Sequence, residues 1–233
     1  MKIAFYGDSL TEGIPGASYF ALLQERLPEH ELINYGEGDD TALSLYERIV
    51  EHDLARPVDM AFLWIGTNDV PYKESSAVAA FKLLRGKQWT ENPGEFREYY
   101  KALLDLLTPY AGTVVTVSPL LAGEKLDTRH NRYLDLLSQV VRHVSAEYPN
   151  VRYLDVRSRF VEELAAKPIP DAASRSIWQT AWDVLMLRSP EEIDRAARER
   201  GLYLTLDGVH LNSRGAEIVV EAFMEAIREV VRA

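Results

Sequence analysis

The chain contains no cysteine among its 233 residues. Disulfides, thiolate metal sites and a cysteine nucleophile are therefore excluded together. Covalent catalysis, if there is any, must use Ser, Thr, Lys or a carboxylate. Long apolar runs are absent too. The apolar stretch that opens MKIAFYGDSLTEG runs only from Ile3 to Tyr6 before Gly7 and Asp8 break it. That is shorter than the apolar region of a secretory signal, and no segment approaches a membrane-spanning length. The expectation is a soluble, cytoplasmic chain without membrane partners, although a leader removed from a longer precursor would leave the same text. Positive charge is scarce: 26 Lys and Arg stand against 36 Asp and Glu, a formal net charge of −10. Such a surface repels nucleic-acid phosphates, and no basic patch with interleaved aromatics offsets it. A small neutral substrate suits it better than a nucleic acid. Nothing in the sequence reads out an oligomeric state.

Hydrophobic residues make up 47% of the chain and charged residues 27%, the composition of one globular domain spanning residues 1–233. Short runs rich in β-branched residues fall at Lys2–Tyr6, Glu31–Tyr35, Asp59–Ile65, Thr113–Val117 and Arg152–Val156. Most lack polar alternation, as buried parallel strands do. Helical-period stripes lie between and after them: Phe96, Tyr100, Leu103 and Leu107; Leu134, Leu137, Val141 and Val144; Val219, Phe223, Ala226 and Val230. This alternation predicts an α/β fold with a five-stranded open parallel sheet covered on both faces. Ligands of such sheets bind beyond the carboxyl ends of the strands. Two segments, Pro71 to Pro93 and Pro168 to Gly201, exceed the minimal alternation and are expected to extend that rim.

Four polar motifs fall at this edge. Gly7-Asp8-Ser9-Leu10 follows the first strand, where Ser9 is either a nucleophile with a free amide beside it or an ordinary helix cap. Asn34-Tyr35-Gly36-Glu37-Gly38-Asp39-Asp40-Thr41 follows the second; it is a glycine loop that can turn amides toward a cleft, or a plain turn with Asp40 or Thr41 as cap. Gly66-Thr67-Asn68-Asp69 follows the third, and its Asn68 amide suits an oxyanion donor, whereas Asp69 reads as a capping or turn residue. Asp207-Gly208-Val209-His210 precedes the last helix, where Asp207 can reach His210 Nδ1 and leave Nε2 to take a proton. His30, His52 and His143 read as surface or packing residues, and His130, in a polar loop from Asp127 to Arg132, is a weaker rival. A serine, oxyanion donors and an Asp–His pair at one ligand edge is what a hydrolase requires. No Gly-x-Ser-x-Gly elbow and no phosphate-cradling glycine loop is present, which argues against an α/β-hydrolase and a nucleotide binder.

FYGDSLTEG, NYGEGDDT, WIGTNDV and LDGVHLN, in that order, resemble the four blocks of the SGNH/GDSL hydrolases, from Ile3 to the C-terminal helix. The resemblance implies a three-layer α/β/α sandwich similar to flavodoxin, with no metal or organic cofactor. It implies a serine esterase acting on a small acyl ester, short-chain or acetyl, with Ser9, Asp207 and His210 as the catalytic set. Ser9 and Asn68 become oxyanion donors. A second-block amide joins them, from Gly38 or from Asp39, which stands where the family has glycine. A thioesterase or lysophospholipase of the same family, or a silent binding module on the same fold, is the alternative. Asp8, Trp178 and Trp182 are candidate substrate contacts, and Trp178, Trp182, Met186, Leu187 and Trp89 are candidates to line an apolar acyl or leaving-group pocket. Simple packing of the two insertions onto the sheet explains these apolar residues equally well.

Overall fold

The computed structural model describes residues 1–70, 88–168, 187 and 189–232. Five strands, β1 (Lys2–Gly7), β2 (Glu31–Gly36), β3 (Val58–Trp64), β4 (Ala111–Val117) and β5 (Val151–Leu154), form one sheet in the order β2-β1-β3-β4-β5. All four pairings are parallel. Among the described residues eight helices connect or flank them: α1 (Ser9–Glu12), α2 (Tyr19–Arg26), α3 (Ala42–His52), α4 (Pro93–Leu107), α5 (Arg129–Ser145), α6 (Val156–Leu164), α7 (Pro190–Glu199) and α8 (Ser213–Arg232).

Side chains alternate across a strand, so each buried strand divides its residues between two cores. Ile3, Phe5, Met60, Phe62, Trp64, Val115 and Val117 face α2, α6 and α8. Ala4, Tyr6, Ala61, Leu63 and Val114 face α3, α4 and α5. This is the three-layer α/β/α arrangement. The first core centres on an aromatic cluster: Phe223 stacks on Phe62 with ring centroids 4.4 Å apart, and Phe62 on Phe5 at 5.0 Å. The stripes expected on α4 and α5 are buried throughout. On α8, Val219, Phe223 and Ile227 are buried whereas Ala226 and Val230 are only half-buried, so the apolar face is rotated from the expected one.

The strand boundaries shift by one or two residues from the expectation. The fifth ends at Leu154 rather than Val156, because Asp155 caps α6 by accepting from the Ser158 amide. The expected polar loop around His130 is instead the first turn of α5, which Thr128 caps from outside by accepting from the Asn131 amide.

The carboxyl ends of β1 and β2 approach each other closely. A Cβ on Gly36 would lie 2.2 Å from the Glu12 nitrogen and 2.5 Å from the Thr11 carbonyl carbon. Both are backbone atoms of α1, so no flexible tip can yield. Gly36→Ala is therefore expected to destabilise the fold by about 1–3 kcal/mol, the usual cost of overpacking. Urea unfolding measures this, and an unchanged midpoint would mean that α1 is free to retreat.

Candidate active site

The order β2-β1-β3 makes the chain leave β1 in one direction and return on its other side, which opens a crevice beyond the strand ends. Ser9 is the first residue of α1, directly above β1, and is 9% exposed. It does not cap the helix. Asp8 does, accepting from the Leu10 amide through Oδ1 at 2.9 Å. The helix-cap alternative for Ser9 thus falls to its neighbour, and the Ser9 hydroxyl is left to bond elsewhere. It reaches His210 Nε2 at 3.0 Å.

His210 Nδ1 lies 2.7 Å from Asp207 Oδ2. With Nδ1–H donating to the carboxylate, Nε2 is the basic nitrogen facing the serine hydroxyl. Asp207 Oδ1 also accepts from the amides of Val209 at 3.0 Å and His210 at 2.7 Å. Gly208 bends the turn with φ 91°, a conformation that suits glycine. From the other side, the loop after α1 braces the histidine: the Ala17 amide donates to the Leu211 carbonyl at 2.8 Å.

The remaining motifs converge on the same crevice. Asn68 Nδ2 donates to the Asp40 carbonyl at 3.1 Å and lies 3.4 Å from Asp8 Oδ2. The Ser9 and Gly38 amides donate to no partner among the described residues. Asp39 adopts φ 64°, the left-handed region, where aspartate is among the few non-glycine residues that are tolerated. That is the physical reason an aspartate can replace the expected glycine. Thr41, not Asp40, caps α3. Buried Asp40 instead accepts from Ser44 Oγ at 2.9 Å and pairs with Arg48 at 2.7 Å.

Asp69 is more than a turn residue. Fully buried, it accepts from the Ala42 amide at the start of α3 and from Thr90 Oγ1, both at 3.0 Å. It thereby joins the third block to the second. Glu124 and Thr205 carry no signal in the sequence, since nothing local marks a contact spanning 81 positions. His130 is exposed on α5. Trp178, Trp182 and Met186 lie outside the described residues; Trp89 and Leu187 are half-buried. Among the described residues no cluster of His, Asp or Glu is placed to hold a metal ion, and no helix is long and apolar enough to cross a membrane.

A hydroxyl bonded to an imidazole that a carboxylate orients, at the ligand edge of a parallel sheet, is the grouping with which serine hydrolases work. The chain belongs to the GDSL-like lipase/acylhydrolase family, whose model matches residues 5–218, and is thus a carboxylic ester hydrolase. No curated protein sequence matches it. Among solved structures it resembles the acetylxylan esterase Axe2 from Geobacillus stearothermophilus, with TM-score 0.68 and 21% identity over 97% of this chain and 93% of that one. It also resembles the acetyl xylan esterase AlAXEase, with TM-score 0.65 and 23% identity over 97% and 100% of the two chains. A third is LAE5, an alpha/beta hydrolase from the metagenome of Lake Arreo, with TM-score 0.64 and 20% identity over 97% and 94%. At these identities the likeness is one of fold.

Asp8 sits in a strongly perturbing environment. Burial pushes its carboxyl up to about 7; the Leu10 amide and His210 oppose the shift, whereas Asp40 and Asp69 add to it. A folded-state value above the unfolded one means that the native state binds the proton more tightly. Stability from this group is complete below pH 4 or so and drains away as pH rises toward about 7. Asp8→Asn, which never ionises, should gain stability relative to the wild type over that window, by up to ~4 kcal/mol for a shift of this size. Urea unfolding of both chains at pH 5 and pH 8 checks it; a difference independent of pH would refute the assignment.

Proposed function

We propose that the protein hydrolyses short acyl esters, acetyl esters foremost, through an acyl-enzyme on Ser9. The observation that carries the reading is the continuous hydrogen-bonded line from Ser9 Oγ through His210 to Asp207, at 3.0 and 2.7 Å. Ser9 Oγ attacks the ester carbonyl as its proton passes to His210 Nε2. Asp207 keeps the imidazole oriented and stabilises the imidazolium that forms. The bond from carbonyl carbon to the alcohol oxygen then breaks, and His210 gives its proton to the leaving alcohol. Water, deprotonated by His210, attacks the acyl-serine and releases the acid and Ser9.

Negative charge on the tetrahedral oxygen is met by the Ser9 amide, an amide of the Gly38–Asp39 turn, and Asn68. One N–H of the Asn68 amide is anchored on the Asp40 carbonyl at 3.1 Å. The second, whose 3.4 Å contact with Asp8 is long for a hydrogen bond, is assigned to the oxyanion. Asp8 supports this division best when protonated, because a neutral carboxyl holds the amide less tightly than a carboxylate. The acetyl preference draws support from the names of the acetylxylan esterases above and from the lack of a long apolar stretch in the sequence.

Three experiments test the reading. A fluorophosphonate should label the wild-type chain on Ser9 and leave Ser9→Ala unlabelled; a wild-type chain that resists the label is a silent module. Asn68→Ala should fold and lose about a hundredfold or more in kcat. Across p-nitrophenyl esters from acetate to palmitate, acetate or butyrate should turn over fastest, and faster cleavage of palmitate would overturn the chain-length assignment.

A further inference from the structure

Glu124 is a carboxylate with no exposed surface, in the loop after β4. Its Oε2 accepts from the Tyr203 amide at 2.8 Å. Its Oε1 accepts from the Leu204 amide at 2.8 Å and from the Thr205 amide and Thr205 Oγ1, both at 2.7 Å. Among the described residues no Lys, Arg or His is ion-paired with it. Four donors replace the lost hydration of a buried charge, which otherwise costs several kcal/mol. This accounts for its survival in the interior, but not for its position.

Position follows from the one hydrogen of the Thr205 hydroxyl. Donated to Glu124, that hydrogen leaves the oxygen's lone pairs facing the next turn, where it accepts from the Gly208 amide at 3.0 Å. The Gly208 carbonyl in turn accepts from the amide of Gly123, the residue before Glu124, at 2.6 Å. Both ends of the residue between Asp207 and Val209 are thus held by two consecutive residues of the β4 loop, one directly and one through Thr205. The loop is itself tied down: the Asn131 side chain accepts from the Ala122 amide and donates to the Gly123 and Lys125 carbonyls at 2.9 Å each. Arg157, buried, donates to the Asn131 carbonyl at 2.7 Å.

We propose that Glu124, acting through Thr205, is a positioning residue that sets the Asp207–His210 turn and hence the reach of the imidazole to Ser9. Neither residue touches the reacting atoms. The proposal rests on His210 as the base, so its test carries one readout that does not depend on turnover.

Thr205→Val keeps the β-branched shape and removes the hydroxyl, whereas Thr205→Ser keeps the hydroxyl. The Val variant should lose about ten- to hundredfold in kcat, the size expected of a small misplacement, with KM within about twofold of the wild type. The Ser variant should restore most of it. In NMR spectra the downfield proton on His210 Nδ1 should shift or broaden in the Val variant and stay in place in the Ser variant. Ser138→Ala deletes a buried hydroxyl that donates to the Leu134 carbonyl on α5, and serves as the control for a lost hydrogen bond away from the site. It should leave both readouts unchanged. If Thr205→Val does not fold, Glu124→Gln decides on the same resonance, since its amide must set a donor against a backbone N–H. An unmoved imidazole resonance, an unchanged kcat, or an effect on KM alone overturns the proposal. A wild-type chain with an ordered resonance but no turnover of any ester would sink the esterase reading and leave this one to the NMR result.

Discussion

β1 has neither a wet face nor an unpaired edge. It lies between β2 and β3 in the sheet, and Ile3 to Tyr6 are buried between helices on both sides. Such a strand admits almost no polar side chain along its length. The chemistry must therefore begin where the strand ends, at Gly7. The same holds for β3, whose Met60 to Trp64 are buried and whose polar sequence resumes at Thr67 and Asn68. With β1 and β3 in register from Ile3↔Met60 to Gly7↔Trp64, the two polar segments emerge side by side. The crevice is a consequence of burying the strands that point to it.

What occupies the crevice is held by hydrogen bonds that cross between blocks. Asp69 fastens the third block to the first residue of α3, and the Asp40 carbonyl fixes the Asn68 amide. Glu124, Thr205 and Gly123 fasten the β4 loop to the turn that carries His210. These loops are thus held by neighbours from other strands as well as by bonds within their own sequence. That division suits catalysis, which needs groups held to a fraction of an ångström on loops that would otherwise move. It also concentrates negative charge: Asp8, Asp40, Asp69 and Asp207 are all buried near Ser9. Arg48 neutralises Asp40, amides serve Asp207, and burial pushes the Asp8 carboxyl up to about 7.

The parts of the fold legible in the sequence were those set by local periodicity. Five apolar runs and the helical stripes on α4 and α5 stand where the text placed them, because burial of a strand or a helix face selects residues one by one along the chain. On α8 the buried face lies part of a turn away from Ala226 and Val230, since Ile227 competes for the same face and only the packed neighbours decide. The caps Asp155 and Thr128 are single polar residues, outweighed in the sequence by the strand and loop patterns beside them. Glu124 had no local signal at all: its partners begin 79 positions later.

The site divides along the same line. Sequence by itself determined the chemical groups available, a serine, an asparagine and an Asp–His pair, and their order behind strands whose ends share one edge. It could also bring Asp207 to His210, because three residues and a glycine suffice for that contact. Asp8 caps α1 through a contact two residues away, but only the tertiary structure decided that the Ser9 hydroxyl meets an imidazole 201 positions away. Only the tertiary structure placed Asp39 in the left-handed turn that a glycine would otherwise take. Local contacts depend on chain geometry that a short stretch already contains, whereas these depend on which strands pair and in what register. That pairing is settled by the whole buried core at once.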